Sequence, residues 1–184
     1  MQHTLRRAAF GLAAALLMAV GLAGTGTAAD AHPVSATVKP LATGFFEIVN
    51  NRTGKCVDDP HGDHVNGRGL NEFTCHGGDN QRWAPIDQGN GFFTLQSLNT
   101  ASFCIHVRTN NVIEQLTCVP SNDPDSPREQ WRLILMDSLG DLGFQSALPG
   151  SPCLFLNPNT SADNTPLAVK PCSSTDSANF WHFA

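Results

Sequence analysis

The sequence has no tyrosine, and only 11 of its 184 residues are lysine or arginine, against 16 aspartates and glutamates. The basic residues form no run, so the chain lacks the cationic stretch that binds nucleic acid or an anionic membrane surface. The formal net charge is −5. We therefore expect neither of these partners.

Sequence motifs of common enzyme classes are also absent. The chain contains no Gly-x-Ser-x-Gly, no His-Glu-x-x-His and no phosphate-binding loop. Acidic residues are numerous, but no pattern pairs two of them for glycoside hydrolysis. We predict a protein that is not an enzyme and that needs no cofactor.

Residues 8–29 carry no charge, consist mainly of Ala, Leu, Gly, Val and Met, and follow Arg6 and Arg7. A basic head, an apolar middle and an Ala-x-Ala-like end predict a cleaved export signal, cut after Ala29 or Ala31. A membrane anchor is the alternative, because about 20 apolar residues can span a bilayer. The alanine and glycine content makes this stretch weakly hydrophobic, which favours the signal.

Removal of the signal defines three parts of the chain. Residues 1–31 are the predicted signal, residues 32–42 a short linker, and residues 43–184 one domain. We expect a secreted protein that does not insert into a membrane after cleavage.

All six cysteines lie in the predicted exported part: Cys56, Cys75, Cys104, Cys118, Cys153 and Cys172. An even number in an oxidising compartment predicts disulfides. The count alone does not choose among the ways of pairing six cysteines. An internal repeat would narrow the possible pairings, because equivalent cysteines should pair in equivalent ways.

Such a repeat exists, with a period near 48 residues. It is marked by Trp83, Trp131 and Trp181, spaced 48 and 50, and by Cys56, Cys104 and Cys153, spaced 48 and 49. Each unit runs from a glycine and an aromatic segment through two cysteines to a tryptophan. A period of this size indicates a unit that cannot bury its apolar face alone. Three units without polar caps favour closure around a threefold axis over an open solenoid.

Local signals favour strands throughout the units. Short runs rich in Phe, Val, Ile, Thr and Leu alternate with Gly, Asn, Asp, Ser and Pro clusters such as "SNDPDSP" and "NPNTSADN". No window supports a long amphipathic helix. We predict an all-β domain with about four short strands per unit.

Three such units, each with a cysteine pair and a Gln-x-Trp-like segment near its end, resemble the ricin-type β-trefoil lectins and related carbohydrate-binding modules. The resemblance covers residues 43–184. It implies a β-trefoil with pseudo-threefold symmetry and one disulfide in each repeat. The implied pairs are Cys56–Cys75, Cys104–Cys118 and Cys153–Cys172.

Gln81 precedes the first tryptophan in "DNQRW", where the later repeats have Glu129 and Asn179. A buried tryptophan needs a partner for its indole N–H. A glutamine nearby can bond backbone groups of the adjacent turn as both donor and acceptor. We interpret Gln81 chiefly as a structural residue and secondarily as a ligand contact.

The resemblance also implies a set of sugar-binding positions, and the first repeat fills all of them. The aspartate that accepts hydroxyl hydrogen bonds is Asp58, and the aromatic ring that stacks on a sugar is Phe73. Asn71, Asn80 and Gln81 complete the predicted site. Charge-assisted bonds to a carboxylate are strong, and an aromatic face covers the apolar C–H face of a pyranose.

The later repeats have lost both the carboxylate and the aromatic. The corresponding residues are His106, Leu116, Glu114 and Arg128 in the second repeat, and Phe155, Lys170, Ala168 and Ala178 in the third. We therefore expect one sugar pocket. The resemblance favours galactose-type glycans as ligands.

The segment "DDPHGDH", residues 58–64, mixes histidine and aspartate, which can ligate zinc or calcium. Its spacing matches no known metal loop, and its proline and glycine are typical of a solvated turn, so we predict no metal site. His61 and His64 could instead lie at the rim of the sugar pocket and make binding pH-sensitive.

A protein-binding β-trefoil, such as an inhibitor of a secreted protease, is the alternative function. It is motivated by the loop "VPSNDPDSPRE", residues 119–129, which separates cysteine from tryptophan by 13 residues, against 8 and 9 in the other repeats. Proline-stiffened exposed loops suit such inhibitors.

Overall fold

A computed structural model describes residues 37–38, 44–158 and 160–184. The predicted export signal, residues 1–31, lies outside this range. Among the residues that the structure describes, no helix has the length and apolar character needed to cross a membrane.

The described residues are arranged in short strands joined by turns. A two-residue strand, β1 (Thr37–Val38), comes first. The first repeat contains β2 (Phe46–Asn50), β3 (Cys56–Asp58), β4 (Arg68–Gly69), β5 (Asn71–Phe73) and β6 (Arg82–Gly89). The second contains β7 (Phe92–Ser97), β8 (Phe103–Val107), β9 (Ile113–Thr117) and β10 (Trp131–Leu135). The third contains β11 (Leu142–Ser146), β12 (Cys153–Leu156), β13 (Thr165–Lys170) and β14 (Trp181–Phe183).

Four single-turn 3₁₀ helices accompany these strands. Three of them, η2 (Asp79–Gln81), η3 (Ser126–Arg128) and η4 (Ser177–Asn179), lie just before the three tryptophans. The other, η1 (Pro60–Gly62), lies in the first repeat. A compact helical turn therefore precedes each tryptophan.

The first and last strands of each repeat form a closed six-stranded barrel. The ring runs β2, β6, β7, β10, β11 and β14, and β14 pairs again with β2. Each tryptophan stands opposite a buried polar residue on the first strand of the next repeat. These pairs are Trp83 with Ser97, Trp131 with Ser146, and Trp181 with Asn50. Closure leaves the ring without unpaired strand edges.

The middle strands of each repeat form three hairpins, β3–β5, β8–β9 and β12–β13, which bridge to one another. β13 pairs with β5, β9 pairs with β4, and Val112 bridges to Ala168. A six-stranded barrel with three hairpins related by a threefold axis is a β-trefoil. The predicted fold is confirmed.

The three tryptophans are fully buried in one hydrophobic core. Each indole N–H donates over 3.2 Å to the carbonyl of the residue after the first cysteine of its repeat, which is Val57, Ile105 or Leu154. An unpaired buried donor would cost about 1–3 kcal/mol. Each tryptophan therefore links the end of its repeat to the first strand of its hairpin.

The three implied disulfides are present, with Cα–Cα distances of 5.1, 5.0 and 4.9 Å. Loops of this size stabilise by about 3 kcal/mol each in the chain-entropy model. Every disulfide lies within one repeat, as the resemblance implied.

Part of the predicted linker, residues 32–42, has regular structure. Strand β1 pairs with β10, with Thr37 opposite Ile134 and Val38 opposite Leu133. This end of the linker range therefore adds a strand beside the barrel.

Candidate functional site

The hairpin of β3 and β5 explains the predicted residue offsets. Cys56 stands opposite Phe73, and Asp58 opposite Asn71. Directly opposed residues share a face of an antiparallel pair, and residues two apart on one strand share it as well. Asp58, Asn71 and Phe73 therefore lie on the same face of the hairpin.

A cavity of about 460 Å³ opens beside this face. It is lined by Asp58, Pro60, His61, Gly62, Phe73, His76, Asn80 and Asn164. Its volume falls within the range of about 300–1,000 Å³ typical of small-ligand sites. The cavity thus brings together three of the five predicted site residues, Asp58, Phe73 and Asn80.

The carboxylate of Asp58 is buried, and two amides hold it in place. Asn80 Nδ2 donates to Asp58 Oδ2 over 3.0 Å, and Gln81 Nε2 donates to the same oxygen over 2.9 Å. Within the described part of the chain, Oδ1 accepts no hydrogen bond and is available as an acceptor. Burial raises the pKa of Asp58, against the opposing effects of the Gln81 hydrogen bond and of nearby His76.

Phe73 supplies the apolar wall of the cavity. Its ring is half-buried, so it is not enclosed in the core. The His76 ring meets it edge-on, with centroids 6.2 Å apart and an interplanar angle of 71°. His76 Nε2 also lies 3.6 Å from Asp58 Oδ2. The cavity therefore offers an aromatic surface next to a hydrogen-bonded carboxylate.

Asn80 joins η2 to the opposite wall. Besides bonding Asp58, Asn80 Nδ2 donates to the main-chain carbonyl of Asp59 over 3.0 Å. The main-chain carbonyl of Asn80 accepts in turn from Asp59 N at 3.0 Å. Both amide protons of Asn80 are thus used within the protein. Its Oδ1 accepts none of the hydrogen bonds between described residues, so this oxygen is the group that Asn80 can offer to a ligand.

Asp59 lies fully buried beneath the η1 wall. Burial, with repulsion from Asp63, raises its pKa to about 6. Asn99 bonds both Asp59 Oδ2, at 3.4 Å, and the carbonyl of Gly62, at 3.0 Å. Asp59 therefore supports the wall without facing the cavity.

Gln81 lies behind the cavity and is fully buried. Its Nε2 donates to Asp58 and to the carbonyl of Thr74, and its Oε1 accepts from His76 N at 2.8 Å. Gln81 is a structural residue that also orients Asp58, and it is not among the cavity-lining residues.

The side-chain oxygen at this position has the same role in every repeat. Glu129 Oε2 accepts from Val119 N, and Asn179 Oδ1 accepts from Ser173 N, each at 2.9 Å. Both donors, like His76, directly follow the second cysteine of their repeat. All three repeats therefore share the side-chain oxygen that accepts this backbone hydrogen bond. The amide nitrogen of Gln81 in the first repeat holds an aspartate as well.

The corresponding places in the other repeats are occupied by their own side chains. In the third repeat, Lys170 Nζ lies 4.0 Å from the centre of the Phe155 ring. In the second repeat, buried His106 lies 3.5 Å from Glu129 Oε1 and 3.8 Å from Asp125 Oδ2. Neither place presents a carboxylate beside an open aromatic face.

The residues of "DDPHGDH" have different partners. Asp63 pairs with Arg68, and His64 bonds Thr100 Oγ1. His61 lines the cavity, as suggested, whereas His64 does not.

Several cavity residues were not predicted as site residues. His76 directly follows Cys75, whose disulfide to Cys56 fixes it beside the β3–β5 hairpin. The implied disulfide could therefore have predicted that His76 lies near the cavity. Asn164 comes from the third repeat, and no signal near the first repeat points to it.

The long loop, residues 119–129, is folded into successive turns around η3. Ser126 Oγ donates to the carbonyl of Ser121, and Arg128 pairs with Asp125. Arg128 also donates to the carbonyl of Val107. The loop is therefore compact and anchored to its own repeat.

Fold and site together define a β-trefoil whose first repeat has a cavity lined by Asp58 and Phe73. Residues 34–119 match the family model described as a ricin-type beta-trefoil lectin domain-like. This match and the structural neighbours confirm the predicted resemblance to ricin-type β-trefoil lectins. The sequence matches no curated protein.

Solved structures share the fold at low sequence identity. The designed threefold-symmetric protein ThreeFoil aligns with a TM-score of 0.63 and 20% identity, over 76% of this chain and 97% of that chain. The Rhizoctonia solani agglutinin aligns with a TM-score of 0.61 and 22% identity, over 80% and 98%. The Macrolepiota procera ricin B-like lectin, solved in complex with lactose, aligns with a TM-score of 0.58 and 19% identity, over 79% and 98%.

Proposed function

We propose that this protein is a carbohydrate-binding lectin that holds one sugar ring in the cavity of its first repeat. The observation that carries the proposal is the shared cavity of Asp58 and Phe73. The ring lies with its apolar face on Phe73, and Asp58 Oδ1 accepts hydrogen bonds from its hydroxyl groups. Asn80 Oδ1 accepts a further one.

We propose neutral, galactose-type glycans as the ligands. A galactose ring presents adjacent O3 and O4 hydroxyls to one carboxylate while its C–H face stays free for the phenyl ring. No lysine or arginine is found among the cavity-lining residues, so an acidic sugar would meet Asp58 without a counter-charge. A dissociation constant near 1 mM corresponds to only about −4 kcal/mol, and one small site is consistent with binding of that strength.

The lining of this cavity favours a non-catalytic role. Among the described residues that line it, Asp58 is the only carboxylic acid, and glycoside hydrolysis requires a pair that flanks the bond. The protease-inhibitor alternative is less favoured, because residues 121–129 are folded into turns and do not form an extended segment that a protease could bind as a strand.

A glycan array followed by calorimetric titration of lactose tests this function. Asp58→Asn removes the charge and Phe73→Ala removes the ring, and each should weaken lactose binding by at least about tenfold, since bonds to charged groups contribute about 1.5–3 kcal/mol. Asp79→Asn and Phe45→Ala, both outside this cavity, are the matched controls. Unchanged binding in the first two variants would contradict the proposed site.

We also propose that the protein is secreted, on the basis of the apolar segment and the three closed disulfides. N-terminal sequencing of the protein from the culture medium should begin at Asp30 or His32. Retention of Met1 in a membrane fraction would contradict export with cleavage.

A further inference from the structure

Among the described residues that line the cavity of the first repeat, Asn164 comes from another repeat, the third. This residue is exposed and lies in the turn that precedes β13. Its φ of 63° is in the left-handed region, which asparagine tolerates better than most residues. Neither the family resemblance nor the proposed function assigns it a role.

The third repeat is fastened to the first on both sides of this residue. Asn164 N donates to the carbonyl of Glu72 over 2.9 Å, and Thr165 stands opposite Glu72 in the β5–β13 pair. Asp163 accepts from Thr74 N at 2.9 Å and pairs with Lys55 at 2.7 Å. The backbone around Asn164 is therefore fixed relative to the cavity.

The side chain of Asn164 is also oriented. Asn71 Nδ2 donates to Asn164 Oδ1 over 3.1 Å. This bond occupies the Asn164 oxygen and leaves Asn164 Nδ2, which donates to no atom in the described part of the chain. The amide protons of Asn164 are therefore not used by any described residue and face the cavity as available donors to a ligand.

Asn71 is buried, and its Oδ1 has no hydrogen-bond partner among the described residues. A buried unpaired acceptor is destabilising, so packing alone does not account for an asparagine at this position. Its observed hydrogen bond is the one to Asn164, which indicates that its role is to hold that side chain.

Comparison with the junction between the first and second repeats shows that the backbone arrangement does not require an amide side chain at this place. Gly67 N donates to the carbonyl of Gln115 over 2.8 Å, and Gly67 also has a left-handed φ, 81°. Gln115 and Glu72 each lie three residues before the second cysteine of their repeat. The junction between the first and second repeats therefore has the same backbone bond, but with a glycine that carries no amide.

We propose that Asn164 is a ligand-contacting residue, that Asn71 is its positioning residue, and that the sugar site is assembled from two repeats. The ligand class is a neutral glycan that presents an acceptor oxygen toward the third repeat while one of its rings lies on Phe73. This inference rests on the proposed function, because it assumes that the cavity holds a sugar.

Lactose titration of three variants tests the inference. Asn164→Gly removes the amide and suits a left-handed φ, and it should weaken binding about three- to tenfold, the effect of one lost hydrogen bond. Asn111→Gly is the matched control, because Asn111 is also an exposed asparagine with a left-handed φ, 67°, in the second repeat. It should keep the affinity of the unsubstituted protein.

Asn71→Ala distinguishes positioning from direct contact. It should weaken binding in the unsubstituted protein but add nothing in the Asn164→Gly background. An additive loss would instead assign Asn71 a contact of its own and overturn its positioning role. Circular dichroism and thermal unfolding establish that each variant is folded.

Nuclear magnetic resonance gives a second measurement. The side-chain NH₂ signals that disappear in Asn164→Gly should shift when lactose is added to the unsubstituted protein. Absence of that shift, together with unchanged affinity in Asn164→Gly, would overturn the inference while the Asp58 and Phe73 variants still report on the proposed function. Absence of any glycan binding by the unsubstituted protein would overturn both.

Discussion

Gln81 Nε2 donates to Asp58 Oδ2 over 2.9 Å, and the second repeat inverts this pair by placing Glu129 Oε1 3.5 Å from His106 Nδ1. In the first repeat the Gln81 amide supplies a proton to the carboxylate; in the second repeat the carboxylate lies beside an imidazole, and neither His106 Nδ1 nor Glu129 Oε1 has a hydrogen-bond partner among the described residues. Asp58, two residues after the first cysteine, and Gln81, two residues before the tryptophan, therefore form a matched pair. Glu129 thus faces an imidazole at the place where Gln81 faces a carboxylate.

Gln81→Glu should break this match in the first repeat. The glutamate would still accept the hydrogen bond from His76 N. It could no longer donate to Asp58, and it would place a second carboxylate against that buried one. We expect a loss of about 1–3 kcal/mol in the free energy of unfolding at pH 7, together with loss of lactose binding. Urea unfolding measures the first effect, with Gln88→Glu on a more exposed strand as control.

The double variant Asp58→His/Gln81→Glu copies the second repeat and should recover part of that stability but none of the binding. Equal stability of the single and double variants would contradict the matched-pair explanation.

Asp59→Asn should stabilise the protein above pH 6. The pKa of Asp59 in the folded protein is about 6, above its ordinary value of 3.8, so the native state favours the protonated form. Its stabilising contribution is fully present below about pH 4 and is lost as the pH rises through about 6. At about 1.4 kcal/mol per unit, the neutral variant gains up to about 3 kcal/mol at pH 7.5 and nothing near pH 4.

Thermal unfolding between pH 4 and pH 8 measures this difference, with exposed Asp79→Asn as the control. A lower Tm for Asp59→Asn than for the unsubstituted protein at pH 7.5 would show that the charged form of Asp59 is stabilising.

Removing disulfides should separate stability from binding. Replacing Cys104 and Cys118 by alanine should cost about 3 kcal/mol and leave lactose affinity unchanged, because this disulfide lies in the second repeat. Replacing Cys56 and Cys75 should cost a similar amount and also weaken binding, because Cys56 stands opposite Phe73 and His76 follows Cys75. Equal effects on affinity would argue against a site confined to the first repeat and its neighbour.

Phe73→Trp should strengthen lactose binding severalfold. Phe73 is half-buried at the cavity, and indole offers a larger aromatic face and an N–H at its edge. Phe45→Trp, on an exposed residue outside the cavity, is the control. Weaker binding in Phe73→Trp would indicate that the cavity is too narrow for the larger ring.

The sequence predicted the fold because the fold is a repetition. The spacing of tryptophans and cysteines indicated three equivalent units, and the resemblance implied that these units close into a β-trefoil. The offsets of Asp58 and Phe73 from their cysteines reported one face of a hairpin, which is a property of neighbouring residues.

Features that depend on contacts between repeats were not accessible in this way. Asn164 is 93 residues from Asn71, and its place at the cavity results from the pairing of β5 with β13. The burial of Asn71 behind Asn164 has the same origin. Residue spacings within one repeat predict which side chains share a face of its hairpin. They do not predict which turn of another repeat lies over that face.

The ends of the repeat array meet, because Glu47 and Ala184 exchange backbone hydrogen bonds of 3.1 and 3.0 Å. A circularly permuted chain, joined between these ends and reopened in the 119–129 loop, would keep every strand pair of the barrel. In such a chain the third repeat would directly precede the first, so the two repeats that line the cavity would become consecutive in the gene.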